Sequence, residues 1–464
     1  MGGKVMKMRR ILLFFAVIAL LTTAMCVSVA ADGPPENGKC GDSVYWRFDS
    51  GGVLTVYGTG ATWDYTYDED VPWEKLPIFH INISRGVTRI GACVFSGIYD
   101  LKDVTIADTV TEISGYAFDG CNLLKHVEIP DSVVTIGKGA FDYCDSLESV
   151  TIGKNVKTIG KNAFYYCSSL KEVSIPKSVE TIGECAFDIC PSLTAIHVDP
   201  NNPNYSSDSA GVLYNKSKTI LITAPGSIMS YIIPYGVEVI EPYAFEYCQN
   251  LTSVTIPNSV TKIGENAFNY CASLTHISIP EGVTRIEDAV FATCSSLTSV
   301  TIPYGVKYIG EDAFNGCKFT TIRLPDSVTS ISSCAFYACQ SLESIVIPVS
   351  VTRIGYSAFD ICESLTEVYY TGDEEHWKRI DIGEDNDTLL RAHINYNYSA
   401  AQLLGDVNGD GRLDNIDLVN IARYVVGLTG GAVKTAVEQN ADMNGDGRVD
   451  NADLVTVARI IVEQ

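Results

Sequence analysis

The chain has 464 residues and 46% apolar content, enough to bury a large core yet too long for one compact domain of ordinary size. Its formal charge of −23 repels phosphate backbones and anionic lipid, which argues against nucleic acid or a membrane surface as partner and favours cations. Four basic residues and no acidic one lie within the first 30 positions, so the remainder is more acidic still.

Residues 1–31 read as a secretory leader. Lys4, Lys7, Arg9 and Arg10 precede the apolar run ILLFFAVIALL, and Val27-Ser28-Val29-Ala30-Ala31 supplies an A-x-A-like exit, with cleavage expected after Ala30 or Ala31. The apolar run is too short to rest as a spanning helix, and no later run is long enough, so the expected location is secreted, extracellular and cell-surface or complex-associated, without membrane insertion.

Residues 32–85 carry alternation in Val44-Tyr45-Trp46-Arg47-Phe48 and in Val53-Leu54-Thr55-Val56-Tyr57, separated by Asp49-Ser50-Gly51-Gly52. That pattern predicts a hairpin, and a β cap over the end of the next region. The alternative is a small sugar-binding unit built on Trp46, Trp63, Tyr65, Tyr67 and Trp73.

Residues 86–367 repeat one sentence. In LTSVTIPNSVTKIGENAFNYCAS, Leu251, Val254 and Ile256 lie on one side of a short strand, Pro257 ends it, Val260, Ile263, Ala267, Phe268 and Cys271 add inward anchors, and Gly264 turns the chain. A unit of 23 residues cannot bury its own apolar face and must stack on copies. The repeat Phe recurs at Phe95, Phe118, Phe141, Phe164, Phe187, Phe245, Phe268, Phe291, Phe314, Phe336 and Phe359, every 23 residues apart from one step of 22 and one of 58. The stretches IPDSVVTIGKGAFDYC, IPKSVETIGECAFDIC and IPNSVTKIGENAFNYC closely resemble the BspA-type leucine-rich repeat. That resemblance implies a curved repeat solenoid with a parallel β-sheet on its concave face; at about 4.8 Å per strand, a dozen coils would give a sheet on the order of 60 Å long. Such a sheet is a surface for binding a protein or cell-surface ligand.

The concave positions would be Thr105, Glu128, Thr151, Ser174, His197, Thr255, Ser278, Thr301, Arg323, Val346 and Tyr369, a mild hydrogen-bonding row without an aromatic stripe. The long step holds an island at 199–234, in which Gly211-Val212-Leu213-Tyr214 and Ile220-Leu221-Ile222 predict a hairpin projecting from the wall and a place for specificity. Ten cysteines, Cys121, Cys144, Cys167, Cys190, Cys248, Cys271, Cys294, Cys317, Cys339 and Cys362, each follow a repeat Phe by three residues. Fixed to the repeat, they read as a buried thiol ladder, with some bridges between coils as the alternative; Cys40, Cys93, Cys185 and Cys334 stand off this pattern as candidates for pairing.

Residues 368–398 read as a C-terminal cap in which Trp377, Ile380, Ile382 and Leu389 plug the last coil, and 399–402 as a short linker. Residues 403–464 hold two copies of DxNxDGxxDxxD, 36 residues apart. Calcium takes about six to eight oxygen ligands, and such a loop supplies side chains from Asp406, Asn408, Asp410, Asp414 and Asp417 with the Arg412 carbonyl, then from Asp442, Asn444, Asp446, Asp450 and Asp453 with the Arg448 carbonyl. After each loop, Leu418, Ile421, Ala422 and Val425, then Leu454, Val457, Ala458 and Ile461, make an amphipathic stripe. This duplicated loop and helix resembles a type I dockerin, which implies a small all-α module holding two calcium ions and binding a cohesin module of a scaffoldin in a cellulosome-type assembly. The matching specificity positions are Asn415, Ile416, Asn451 and Ala452, with Arg423 and Arg459 as the basic contacts.

Catalysis would need a nucleophile, base or metal cluster outside the repeat. His80, His126, His197, His276, His376 and His393 are scattered and stand in no HExxH, phosphate-loop or nucleophile-elbow context. The expectation is a secreted, non-catalytic, calcium-dependent binding or adhesion protein. Two rivals are a carbohydrate-binding component that holds plant polysaccharide near docked enzymes, and a protease inhibitor or regulator acting through the island.

Overall fold

The computed structural model describes residues 37–69, 71–398, 418–422, 449–450, 454–455 and 458. From residue 37 to residue 398 the chain winds through very short strands, stacked coil on coil. In the unit quoted above, the strand Ser253–Thr255 turns Val254 inward, and the Pro257 carbonyl accepts the Val260 N–H to close the corner. The second strand, Lys262–Ile263, buries Ile263, and the return segment buries Ala267, Phe268, Cys271 and Leu274 before the next strand, His276–Ser278. Every inward anchor expected from the repeat is buried in this coil.

Two ribbons result, parallel from coil to coil once the antiparallel strands Asn37–Lys39, Val44–Phe48 and Val53–Gly58 have opened the first. The longer strands pair residue for residue, Ile81 against Val104 and Val127 against Val150, in a nine-stranded sheet from Asn37–Lys39 to Ala195–Val198. The two-residue strands form a second ribbon, with Ile113, Ile136, Ile159 and Ile182 in one register. Glycine in the I-G pair serves packing more than turning. A Cβ on Gly264 would lie 2.4 Å from the Pro242 nitrogen of the preceding coil, and one on Gly160 2.6 Å from the Gly137 carbonyl carbon.

The third wall is held by backbone and rings together. The Phe245 N–H donates to the Ala267 carbonyl at 2.8 Å and Phe268 to Val290 at 2.9 Å, so the wall loops are bonded coil to coil. Two positions in each loop, two residues before and two after the repeat Phe, have left-handed backbone. The first set includes Cys93, Tyr116, Asn162, Cys185 and Ala289, and the second Gly120, Tyr143, Tyr166, Ile189, Tyr247, Tyr270 and Thr293. Left-handed backbone costs an L-residue roughly 1–2 kcal/mol, which the stacked wall must offset. The rings stack: Phe118 on Phe141 at 5.2 Å and Phe245 on Phe268 at 4.9 Å. Nine of the ten ladder thiols donate to the carbonyl of a repeat Phe on the preceding coil, as Cys144 does to Phe118 at 3.3 Å and Cys271 to Phe245 at 3.2 Å, whereas Cys248, which follows the island, donates to the Pro225 carbonyl at 3.7 Å. Burial pushes the Cys190, Cys294 and Cys362 thiols up to about 12, which keeps them protonated and donating. The 14 described cysteines are all free thiols, and Cys93, Cys185 and Cys334, off the main pattern, share the first left-handed position in well-separated coils.

The ends are closed by aromatic plugs. Trp46 and Trp73 are buried edge to face at 5.6 Å, and Trp73 stacks on Phe95, the first ring of the series. At the other end Trp377 packs edge to face on Tyr370 at 5.1 Å, with Ile380 and Leu389 buried beside it and Ile382 partly so. The coil with the 22-residue step sets Phe319 where other coils have Leu297 or Leu342, one residue early, and Phe319 meets Phe314 edge to face at 5.6 Å.

The island departs from expectation. Its strands Tyr205–Ser207, Leu213–Asn215 and Ile220–Thr223 do pair antiparallel, but Val212, Leu213 and Tyr214 are fully buried, so the segment is folded into the wall rather than projecting from it. Both ribbons end against it: the long one at Ala195–Val198, whose Ile196 N–H donates to Gly211, and the short one at Thr181–Ile182, where the Ile182 N–H donates to the Tyr205 hydroxyl. The long strands resume at Ser230–Ile232, so the continuous sheet expected is divided there. The buried residues accordingly form two clusters, one over 40–213 and one over 212–389. No described helix is long and apolar enough to cross a membrane.

Candidate interaction surfaces

The outward residues of the long strands form two parallel rows. Pairing aligns Asn82 with Thr105, Glu128 with Thr151, Ser174 with His197, Ser278 with Thr301, and Arg323 with Val346 and Tyr369. Those expected from the sequence therefore share one row, exposed from Thr105 to Ser278 and half-buried at Thr301, Arg323, Val346 and Tyr369. Ile232, opposite Thr255, belongs to the row as well and is 74% exposed, beside exposed Met229 and Tyr235. Two residues earlier on each strand runs a second row that the repeat pattern did not single out. In it His80 meets Asp103 at 2.5 Å and His126 meets Ser149 at 2.8 Å. His80, His126, His276 and His393 all occupy this position, each on its own strand, with Asp103 between His80 and His126.

The wall carries a second surface. Tyr143 stacks on Tyr166 at 4.9 Å and Tyr247 on Tyr270 at 4.4 Å, all at the second left-handed position. Burial first, then Tyr270, Glu246 and Tyr166, push the Tyr247 hydroxyl up to about 12. The signal was present as the Tyr before Cys144, Cys167, Cys248 and Cys271, though spacing alone assigns it no side. Carboxyls lie behind this row. Burial and the neighbouring Asp119 push Asp142 up to about 7, and burial pushes Glu246 up to about 7 against a hydrogen bond from Asn269.

Of the expected calcium ligands, Asp406, Asn408, Asp410, Arg412, Asp414, Asp417, Asp442, Asn444, Asp446, Arg448 and Asp453 lie outside the described residues, as do Asn415, Ile416, Arg423, Asn451, Ala452 and Arg459. Asp450 is described: its carbonyl accepts the Leu454 N–H at 3.2 Å, the bond that opens a helix. Residues 418–422 are helical and bury Ile421. Each loop's donor set is all oxygen with an Asp, Asn, Asp, Asp, Asp order, which suits a hard cation such as calcium.

A model of the BspA type leucine rich repeat region (6 copies) matches this chain over residues 73–202, 224–328 and 290–379, leaving 203–223 of the island uncovered. A model of the dockerin type I domain matches residues 404–462. Among solved structures the chain is similar to a leucine rich cell surface protein from Faecalibacterium prausnitzii A2-165, at 29% identity over 76% of this chain and 99% of that one, with a TM-score of 0.55. It is similar as well to a leucine-rich repeat protein from Eubacterium ventriosum ATCC 27560, at 26% identity over 71% and 96%, TM-score 0.51. The pneumococcal vaccine antigen PcpA shares the fold at 21% identity over 78% and 100%, TM-score 0.58. No curated protein matches the chain.

Proposed function

We propose, from the premise that the chain belongs to the BspA-type leucine-rich repeat family and carries a C-terminal dockerin type I domain, that it is a secreted adaptor. One end docks on a cohesin module of a scaffoldin in a calcium-dependent manner, and the solenoid binds a protein or cell-surface ligand. Neither matched module is catalytic. The observation that carries the reading is the pairing itself: a dockerin match over 404–462 following a long solenoid whose strand face presents a mostly polar row, exposed from Thr105 to Ser278.

The domain scheme set out above, with a leader to residue 31, a cap to 85, repeats to 367, a second cap to 398 and a linker to 402, is part of this reading. So are two calcium ions, held by Asp406, Asn408, Asp410, Arg412, Asp414 and Asp417 and by their counterparts from Asp442 to Asp453, and cohesin contacts through Asn415, Ile416, Arg423, Asn451, Ala452 and Arg459. The polysaccharide reading gains one observation, the tyrosine row. Stacked tyrosines, however, turn their faces to each other and offer edges outward, whereas sugars pack on ring faces, so the protein reading is preferred. The inhibitor reading is weakened, because Val212, Leu213 and Tyr214 hold the island in the wall, and what it leaves exposed includes the short Lys216-Ser217-Lys218 turn and the edge at Met229 and Ile232.

Calorimetry of the secreted chain against a cohesin panel, with calcium and then with EDTA, tests the anchor. Calcium-dependent binding is expected; binding that survives EDTA, or binding to no cohesin, refutes it. Retention on cellulose or xylan would move the solenoid to carbohydrate.

A further inference from the structure

The coil after Phe187 carries a shortened wall loop, without the repeat Phe that every other repeat coil has. Ala224 donates its N–H to the Ala244 carbonyl at 2.8 Å, the bond that Phe245 makes to Ala267, so Ala224 stands in the register of the repeat Phe. The chain reaches Ala224 three residues after Leu221, whereas five separate Ile240 from Phe245. With the loop shortened and its ring absent, a cleft of about 280 Å³ opens between the wall loop of Phe187 and the start of the next one. That is just under the roughly 300–1,000 Å³ typical of small-molecule sites, room for one long side chain rather than a length of polymer.

The lining has two parts. Ile182, Ile220 and Ile222 supply an apolar sleeve; Glu184, Asp188 and Glu241 supply carboxyls, and no lysine or arginine lines the cleft. Asp188 is 6% exposed, and its Oδ1 accepts the Thr223 hydroxyl at 3.0 Å. A buried carboxyl held only by neutral donors keeps its proton more readily, and a cation seated beside it would favour release of that proton to solvent and then be held by the charge. Burial, Glu246 and Glu184 hold its carboxyl up at about 7, against the lowering effect of the Cys185 thiol and Thr223. Lys161, the nearby cation, is engaged by Glu184 at the surface.

We propose that this cleft receives a single lysine or arginine side chain of the solenoid's protein partner, its aliphatic stem in the isoleucine sleeve and its charged head at Asp188 and the two glutamates. The proposal rests on the reading that the solenoid binds protein. Long basic side chains combine an apolar stem with a charged tip, which is the chemistry this lining matches.

The test uses the secreted full chain and four probes: Nα-acetyl-lysine methylamide, the arginine equivalent, the norleucine equivalent and the Nε-acetylated lysine equivalent. Saturation-transfer NMR should show the first two binding and the last two not. Asp188→Asn should weaken the lysine probe about tenfold or more, the scale of a lost buried charge pair, and Thr223→Leu, which fills the floor, should abolish binding. Circular dichroism and calcium-dependent cohesin binding report whether each variant is folded and whether the anchor reading stands by itself. Equal binding of lysine and norleucine probes, an unchanged affinity in Asp188→Asn, or no binding of either cationic probe overturns the proposal.

Discussion

Phe268→Ala should unfold one half of the solenoid while sparing the other. Phe268 is fully buried between Phe245 at 4.9 Å and Phe291 at 5.6 Å. Removing a core phenylalanine costs about 3–5 kcal/mol, and each of the two stacked pairs lost adds about 0.5–1.5 kcal/mol, so the coil loses roughly 4–8 kcal/mol of coupling to its neighbours. In a stacked array this loss passes from coil to coil. The buried clusters over 40–213 and 212–389 are separate, so the loss should stop at the island. Hydrogen exchange followed by mass spectrometry reads the outcome directly: peptides from 237–389 should exchange much faster in the variant, while those from 81–198 keep their protection. Equal loss of protection on both sides would refute the division of the core. The mirror variant, Phe141→Ala, should give the opposite map.

The remaining predictions concern the wall. Cys271→Ala removes the thiol that donates to Phe245 and should cost about 1–3 kcal/mol, whereas Cys271→Ser keeps a donor and should cost less in urea melts; the reverse order would make the thiol a packing group alone. Asp142, Asp188 and Glu246 have folded values raised to about 7 from ordinary values of 3.8, 3.8 and 4.5. Between those limits the folded chain holds protons that the unfolded chain has released, so stability should be greatest at the acidic end, fall as pH rises to about 7 and stay low above it. Asp188→Asn should flatten that slope in melts taken at several pH values, with Glu184, Glu246 and Cys185 left to act as before. Thr293→Gly, at a left-handed position, should be neutral or stabilise by about 1 kcal/mol, while Thr301→Gly in a strand should destabilise by about 0.5–1 kcal/mol; thermal melts distinguish them.

The repeat was legible because its burial is written at constant spacing. Val254, Ile256, Val260, Ile263 and Phe268 must all point inward for any coil to stack, and an inward position admits few residue types. The caps were legible for the same reason, through Trp46, Trp73 and Trp377. Backbone hand left no such trace. Tyr143, Ile189 and Thr293 sit in left-handed backbone with no turn residue to announce it, because the coil-to-coil bonds at Tyr143, Tyr166 and Thr293 enforce what a glycine would otherwise permit. The cleft was hidden by arithmetic. A step of 58 residues reads as one repeat plus a generous insertion, whereas the coil inside it is shorter on its wall side than a normal one. The tyrosine row was visible letter by letter, but no spacing rule says which letters of a loop face water.

The interruption at the island has a mechanical consequence. A partner held on the strand face before residue 198 and an anchor beyond residue 404 would pull the chain from opposite sides of that joint. There both strand ribbons change partners, and the ring stack, continuous from Phe95 to Phe187 and again from Phe245 to Phe359, is interrupted. Under tension the joint should therefore yield first, as a shear pin does, lengthening the tether while the coils on either side hold their shape.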